Sequence, residues 1–296
     1  MNKNQKIKIG IFDSGLGGLT VFKSLASTYR QSASFVYLGD LAHLPYGDKS
    51  KESIIKYSDK ICKFLLSKKV DVIIIACNSA SSVAGQYLFQ KYCDKLPIIE
   101  TIHPSIRAVY THIENSDNRE NYSVGIIGTE TTINSKAYEN ELIDYIKNEN
   151  INIDLAIKSI ACPLFVPIVE EGWENTDIAH QIATKYLSQF QNKLDTVILA
   201  CTHYPILLNT LEFVFNKLGH TNLNFIESGN AIAFDLYGIA DHFIFKNEYH
   251  LKLEENNSIL VKPEDEFYIT DTPHQFNELA NRFLGANIHN IQLISL

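Results

Sequence analysis

Two cysteines stand in matching surroundings in this chain, and those surroundings suit proton chemistry. The first follows Asp71-Val72-Ile73-Ile74-Ile75-Ala76 as Cys77, with Asn78 and Ser79 next. The second follows Asp195-Thr196-Val197-Ile198-Leu199-Ala200 as Cys201, with Thr202 and His203 next. A thiol ionises near pH 8.5, and a helix N-terminus or a neighbouring cation can lower that value. The thiolate can then serve as metal ligand, nucleophile or base. Two Cys and one His, with no further ligand cluster, fall short of the usual zinc patterns. One thiol with His203 beside it would suit acyl transfer, which leaves the other thiol without a task. Two thiols facing each other across a substrate would suit inversion of a stereocentre. One takes a proton from one face of a carbon, the other returns a proton to the opposite face, and no cofactor is needed. The residues alone leave the last two readings open.

These thiols need rigid elements to aim them. Each lies at the end of a continuous apolar, largely β-branched run, the pattern of a strand buried on both faces of a parallel sheet. Carboxyl ends of strands are where open α/β sheets bind ligands. Earlier, Ile7 to Phe12 reads as a strand that runs into Asp13-Ser14-Gly15-Leu16-Gly17-Gly18-Leu19-Thr20 and then a helix. Glycines there permit close backbone approach, and the amides at such a helix start suit an anion; a tight turn capped by Ser14 is the plain alternative. The spacing is not the dinucleotide fingerprint. A second strand, 34–38, ends at Gly39-Asp40, before the turn residues Pro45-Tyr46-Gly47. A helix over 51–67 and a short strand over 96–100 complete a β-α-β-α-β-α-β series, which predicts a doubly wound, mainly parallel sheet.

A second series begins at Tyr122. Its first strand ends Gly128-Thr129-Glu130-Thr131-Thr132, where hydroxyls suit carboxylate binding or helix capping. A strand over 151–157, an apolar loop over 161–172 closing on Glu170 and Glu171, and a helix over 176–190 lead to the second thiol strand. A helix over 205–218, one more strand end near 225–229, a hairpin within 240–262, and a strand, helix and strand to 296 follow. The two series share a layout, a Gly-rich strand end first and a thiol strand later. That predicts two similar half-structures with a site between them.

Composition bounds the function. The chain has 296 residues, long enough for about two domains. Its net charge of −8 argues against a nucleic-acid surface. No apolar run approaches the ~20 residues of a membrane helix, and no signal peptide is seen at the start, so a cytoplasmic protein with no membrane partner is expected. The five cysteines form no CxxC pair, so reduced thiols are expected in place of a disulfide framework. Cys62 falls within the apolar stripe of its helix and reads as core.

The motifs together carry a resemblance. Phe12 to Val21, Gly39-Asp40 with Pro45-Tyr46-Gly47, Ala76-Cys77-Asn78-Ser79-Ala80, Cys162-Pro163-Leu164-Phe165-Val166-Pro167 with Glu170-Glu171-Gly172, and Cys201-Thr202-His203-Tyr204-Pro205 resemble the glutamate racemases, in that family's order and over nearly the whole chain. The resemblance implies cofactor-independent interconversion of L- and D-glutamate, with D-glutamate supplied for peptidoglycan. It implies two α/β domains with the site in their cleft, no metal, and a homodimer. It makes Cys77 and Cys201 the catalytic thiols, assisted by Asp13 for the first and by His203 and Glu170 for the second. Ser14, Tyr46, Gly47, Asn78, Ser79, Thr132, Thr202 and His203, with Asp13, match substrate-binding positions. The expected domains are 1–102 with 214–296, carrying Cys77, and 103–213, carrying Cys201.

There are departures from the pattern. Ser79 stands where Thr is usual, Ala200 and Thr131 where Gly is usual, and Leu41 and His43 where Thr and Arg are frequent; His103-Pro104-Ser105 replaces a motif ending Pro-Gly. None removes a proposed catalytic group, but they leave a related substrate open. The rivals are an aspartate racemase and a binding protein that kept the fold without the chemistry.

Overall fold

Each thiol strand is latched at its start by the Asp that precedes it. Asp71 accepts a hydrogen bond from the Lys8 amide (2.7 Å) and donates its own amide to the Lys8 carbonyl (2.8 Å). Asp195 does the same with Ser123, at 2.8 and 2.9 Å. A carboxylate on an amide near the start of the neighbouring strand pins the register of the pair from there on. In the first half, β1 (Ile7–Asp13) pairs in parallel with β3 (Val72–Ile75), Phe12 opposite Ile75. In the second, β5 (Asn121–Gly128) pairs in parallel with β7 (Thr196–Ala200), Gly128 opposite Ala200. The expected internal similarity is therefore a shared geometry that delivers one thiol at each strand end.

The computed structural model describes residues 6–116, 120–239, 260–272, 276–288 and 290–296. Two all-parallel sheets organise them. The first has six strands in the order β10-β9-β2-β1-β3-β4, where β2 is Ala33–Gly39, β4 Ile98–Ile99, β9 Glu266–Ile269 and β10 Ile291–Leu293. The second has four in the order β6-β5-β7-β8, where β6 is Asp154–Ala161 and β8 Asn224–Glu227. The α/β class and the doubly wound, parallel arrangement match the sequence reading. Burial follows position in the sheet. Central β3 and β7 are buried at every residue, whereas edge strand β6 alternates between more and less exposed positions. The helices that cover the sheets are α1 (Leu19–Tyr29), α2 (Lys51–Ser67), α3 (Asn78–Tyr92), α4 (Ile102–Glu114), α5 (Glu130–Asn134), α6 (Ala137–Asn148), α7 (Phe165–Glu170), α8 (Asp177–Leu187), α9 (Leu208–Lys217), α10 (Ser228–Ile239) and α11 (Phe276–Leu284). Among the described residues no helix is long and apolar enough to cross a membrane.

The chain returns to the first sheet later than expected. A boundary at 213/214 falls inside α9, and β8 beyond it still pairs with β7, Thr196 opposite Asn224. Among the described residues, the first sheet regains the chain at β9, beside β2. That return is fastened by Arg30, whose two terminal nitrogens hold the Asp265 carboxylate at 2.8 and 2.9 Å with both side chains fully buried. Losing one partner of such a pair costs about 3–5 kcal/mol. Three local readings also change. The expected loop over 161–172 contains α7. The helix after Cys201 opens as a 3-10 turn, Tyr204–Leu207, before α9. The helix entered from the glycine turn begins at Leu19, with Gly18 at its N-cap and no capping bond from Ser14. The hairpin expected within 240–262 lies almost wholly outside the described residues.

Candidate active site

Parallel pairing brings Asp13 beside Cys77. The Ala76 amide donates to the Phe12 carbonyl (2.9 Å), so the residues that follow each leave the sheet together. Cys77 is the N-cap of α3. Its Sγ accepts from the Ala80 amide at 3.4 Å and lies 3.6 Å from Ser14 Oγ. The sulfur itself caps the helix. A helix N-terminus favours negative charge, yet burial pushes the Cys77 thiol up to about 12, with the Asp13 carboxylate adding to the rise. Asp13 is buried too. Burial raises its pKa above the ordinary carboxylate range, opposed by the positive field of His203 and by backbone amides, among them Gly15 N–H at 2.9 Å. Among the described residues its Oδ1 has no hydrogen-bond partner, which leaves it able to take a proton. Cys77 and Asp13 thus share a compartment in which a proton is retained.

Cys201 is set in different company. His203 Nδ1 lies 3.9 Å from Cys201 Sγ, and His203 Nε2 lies 3.1 Å from Glu170 Oε1. Burial opposes charge on the imidazole, but Cys201 and Glu170 together outweigh it and lift His203 to about 10. The ring is therefore protonated at neutral pH, bridging a sulfur and a carboxylate. Glu170 closes α7, whose last carbonyls are held by Arg282 of α11: its Nη1 donates to Val169 O (2.7 Å) and Glu170 O (3.0 Å). Phe283, next on α11, meets the His203 ring edge to face at 4.9 Å. The C-terminal helix thus supports the histidine from outside the motifs.

The two halves touch directly. The glycine turn of the first sheet packs on the Cys201–His203 loop of the second: Thr20 Oγ1 donates to Thr202 O at 3.1 Å. A Cβ on Gly17 would collide with Thr202 Oγ1 and with the His203 ring, so this position requires glycine for close approach. A second contact joins Ser79 to the hydroxyls after β5. Ser79 Oγ lies 2.9 Å from Thr129 Oγ1 and 3.4 Å from Thr132 Oγ1, and the two threonines are 3.0 Å apart. Nearby, Thr131 Oγ1 donates to Gly47 O at 2.5 Å. Tyr46 is buried and donates to Asp40 Oδ2 (2.6 Å); Asp40, fully buried, also accepts from Thr270 (2.8 Å) and meets His43 Nδ1 at 2.8 Å. The residues named from sequence therefore fall into groups that the fold joins. Asp13, Ser14 and Cys77 form one, Glu170, Cys201 and His203 another, and Ser79 with Thr132 a bridge between the sheets. Tyr46 and Gly47 approach that bridge through Thr131 and Thr129. Asn78 is 2% exposed and Thr202 5%.

Comparison with known proteins places this arrangement. The family model for Asp/Glu/hydantoin racemases matches residues 9–233. The chain belongs to that family. It is 40% identical over 281 residues to the glutamate racemase of Hydrogenobaculum sp., covering 94% of this chain and 93% of that one. It is 38% identical over 279 residues to that of Sulfurihydrogenibium sp., covering 94% of each. Its fold matches a crystal structure of the Francisella tularensis glutamate racemase in complex with D-glutamate, with a TM-score of 0.77, 32% identity, and 99% and 98% of the two chains covered. Set within this racemase family, the departures acquire local accounts. Ser79 keeps the hydroxyl that meets Thr129 and Thr132, and Thr131 adds a hydrogen bond to Gly47 that a glycine could not make. His43 stacks on Tyr57 at 3.9 Å while contacting Asp40.

The candidate site read from sequence left out three polar side chains that the fold brings here. Thr129 caps α5, accepting from the Thr132 amide at 3.3 Å, as well as meeting Ser79. Tyr138 and Ser228 both donate to Asn78 Oδ1. Thr129 was legible as a hydroxyl at a strand end. Tyr138 sits at an apolar position of an amphipathic helix, where a ring reads as core, and no local signal marks it.

Proposed function

We propose that this protein is a glutamate racemase, an isomerase that inverts the α-carbon of L- or D-glutamate with Cys77 and Cys201 as opposed acid and base. The observation that carries this reading is that each strand-end thiol has its own proton partner: buried Asp13 for Cys77, and for Cys201 the buried His203, itself held by the part-exposed Glu170. Family membership and the names of full-length relatives support glutamate as the substrate.

In this reading a thiolate removes the α-proton, and the C–H electron pair passes into the substrate carboxylate as an enolate. The opposite thiol donates its proton to the other face of the carbon. The two thiols have then exchanged protonation states, and the return trip regenerates the first state. At the Cys77 end the thiol holds its proton, and Asp13 is the group that can accept it when Cys77 must act as base. At the Cys201 end protonated His203 stabilises negative charge on sulfur and can resupply a proton, with Glu170 holding the ring in place. The two carboxylates of glutamate need donors and no metal. Ser14, Asn78 Nδ2, Thr202 and the Ser79–Thr129–Thr132 hydroxyls offer them, with Tyr46 and Gly47 forming the adjoining wall. The D-glutamate formed would serve peptidoglycan synthesis, and the enzyme would work as a cytoplasmic homodimer, which sedimentation of the purified protein would test.

The deciding experiment is incubation of the metal-free protein with L-glutamate, D-glutamate and L-aspartate in D₂O. Circular dichroism reports inversion, and proton NMR reports loss of the α-hydrogen. Both glutamate enantiomers should converge on the racemate with deuterium at the α-carbon. Exchange with aspartate and none with glutamate would overturn the substrate assignment.

A further inference from the structure

Asn78 is buried beside Cys77, and among the described residues its Nδ2 donor has no hydrogen-bond partner. Its Oδ1, by contrast, is doubly engaged, accepting from the Tyr138 hydroxyl and from Ser228 Oγ at 3.2 Å. Tyr138 is 2% exposed, and its oxygen also lies 3.1 Å from Thr101 Oγ1. A phenol has one hydrogen to give. Given to Asn78, it leaves the phenol oxygen to accept from Thr101, so a directed chain runs Thr101, Tyr138, Asn78. With both lone pairs of Oδ1 occupied, Nδ2 is the part of the amide left to meet a ligand. A buried amide donor with nothing to bond is costly by itself, and it is satisfied when an anion arrives.

We infer that Tyr138, assisted by Ser228, is a positioning residue that holds the Asn78 amide so that Nδ2 faces a substrate carboxylate. This rests on the glutamate racemase reading. Tyr138 belongs to α6, which follows the first strand of the second sheet, whereas Asn78 opens α3 behind the first. Ser228 opens α10, directly after β8 of the second sheet. The half-site that carries Cys77 therefore has its carboxylate donor aimed by the other half of the molecule. Separation of the sheets frees the amide, and their approach orients it. Substrate binding is thereby coupled to the arrangement that brings Cys201 to the same carbon.

The test uses Tyr138→Phe, which keeps the ring and removes the hydroxyl, with Ser228→Ala as a milder second variant. KM for glutamate should rise about tenfold in the first and about threefold in the second, with kcat within about threefold of wild type. In an Asn78→Ala background, Tyr138→Phe should have less than about a twofold effect, because its route of action is gone. A merely structural role would lower thermal stability and give the same fold-change in both backgrounds, overturning the inference. The ¹⁵N side-chain amide signal of Asn78 gives a readout independent of turnover: it should shift in Tyr138→Phe, and an unmoved signal overturns the inference. If wild type fails to racemise glutamate while that signal still responds to Tyr138, the functional reading falls and the positioning role stands. If wild type racemises glutamate and the Tyr138 and Asn78 effects on KM multiply independently, the reverse holds.

Discussion

Cys77 and Cys201 occupy equivalent strand ends, each reached from an Asp latch through a buried apolar run, and the similarity stops at the sulfur. Cys77 leads straight into α3 and caps it, with a buried carboxylate at its side. Cys201 leads into a 3-10 turn that swings His203 back beside it, with Glu170 beyond. At the position matching Asp13, the end of β5 carries Gly128, which has no side chain to supply a carboxylate. One half thus keeps a proton on a thiol and offers a base to take it. The other keeps a proton on an imidazole and offers it to sulfur. A racemase needs two opposed groups in unlike protonation states. A duplicated layout with divergent neighbours supplies both from one strand motif.

The strongest way to break the comparison is to remove each thiol. Cys77→Ala and Cys201→Ala should each lower racemisation by about 10³-fold or more, from loss of general acid–base catalysis. The surviving thiol can still exchange the α-hydrogen with retention. Deuterium wash-in should therefore persist for one glutamate enantiomer in one variant and for the other enantiomer in its counterpart. Exchange of the same enantiomer by both variants would sink the picture of two opposed faces.

The neighbours come next. L- and D-glutamate have equal free energy in water, so kcat/KM must be equal in both directions for any variant, and the asymmetry can appear only in kcat and KM separately. Asp13→Asn and His203→Asn should each lower kcat by about 10²-fold, with the larger loss in opposite directions. Equal losses in both directions for both variants would show that the halves act as one unit. The pH behaviour follows from the shifts. Asp13 is raised, so the acid limb that depends on its carboxylate should lie above the ordinary carboxylate range. His203 is raised from 6.5 to about 10, so its protonated form is favoured by folding. Its contribution to stability is complete below about pH 6.5 and is lost as pH rises through about 10, on the order of a few kcal/mol. Denaturant midpoints at pH 6.5 and 9.5 should fall for wild type and stay nearly level for His203→Asn.

Much of this was readable before the fold was known, and the reason is local. Buried parallel strands must be continuously apolar, so Val72–Ile75 and Val197–Ala200 declare themselves, and the thiols at their ends sit where such sheets open. His203 lies two residues past the second thiol, and the glycine turn directly follows the first strand. What could not be read came from contacts across sequence. β8 belongs to the second sheet although it lies beyond the expected boundary, because pairing with β7 depends on packing and not on composition. Arg282 and Phe283, from the far end of the chain, support His203 and α7 with no motif to mark them. Tyr138 and Ser228 act on Asn78 over separations of 60 and 150 residues. The proposed carboxylate donors could be named from sequence, but their hydrogen-bond partners across the fold could not.

A smaller perturbation addresses how closely the halves must approach. Gly17→Ala places a methyl group against Thr202 and the His203 ring. Overpacking of this kind costs about 1–3 kcal/mol. Racemisation should fall about tenfold or more, because the glycine turn carrying Asp13 and Ser14 is pushed from the Cys201 loop. A variant with normal kcat would mean that the two halves tolerate a wider gap than their contact suggests.

The mildest change isolates the outer contact between the same halves. Thr131 stands where the family usually has glycine, and its hydroxyl donates to Gly47 O at 2.5 Å, tying the Pro45-Tyr46-Gly47 turn to α5. A single neutral hydrogen bond contributes about 1 kcal/mol net, so Thr131→Ala should weaken D-glutamate binding about fivefold by titration calorimetry. The effect should fall on KM and spare kcat, because neither thiol's proton partner is touched. Thr131→Ser retains the hydroxyl and should restore affinity. Unchanged affinity in Thr131→Ala would leave the Thr129–Ser79–Thr132 hydroxyls as the contact that draws this side of the site together. A fall in kcat with KM unchanged would instead mean that the outer contact sets the separation of the thiols, and the division between binding at one edge and proton transfer at the centre would have to be redrawn.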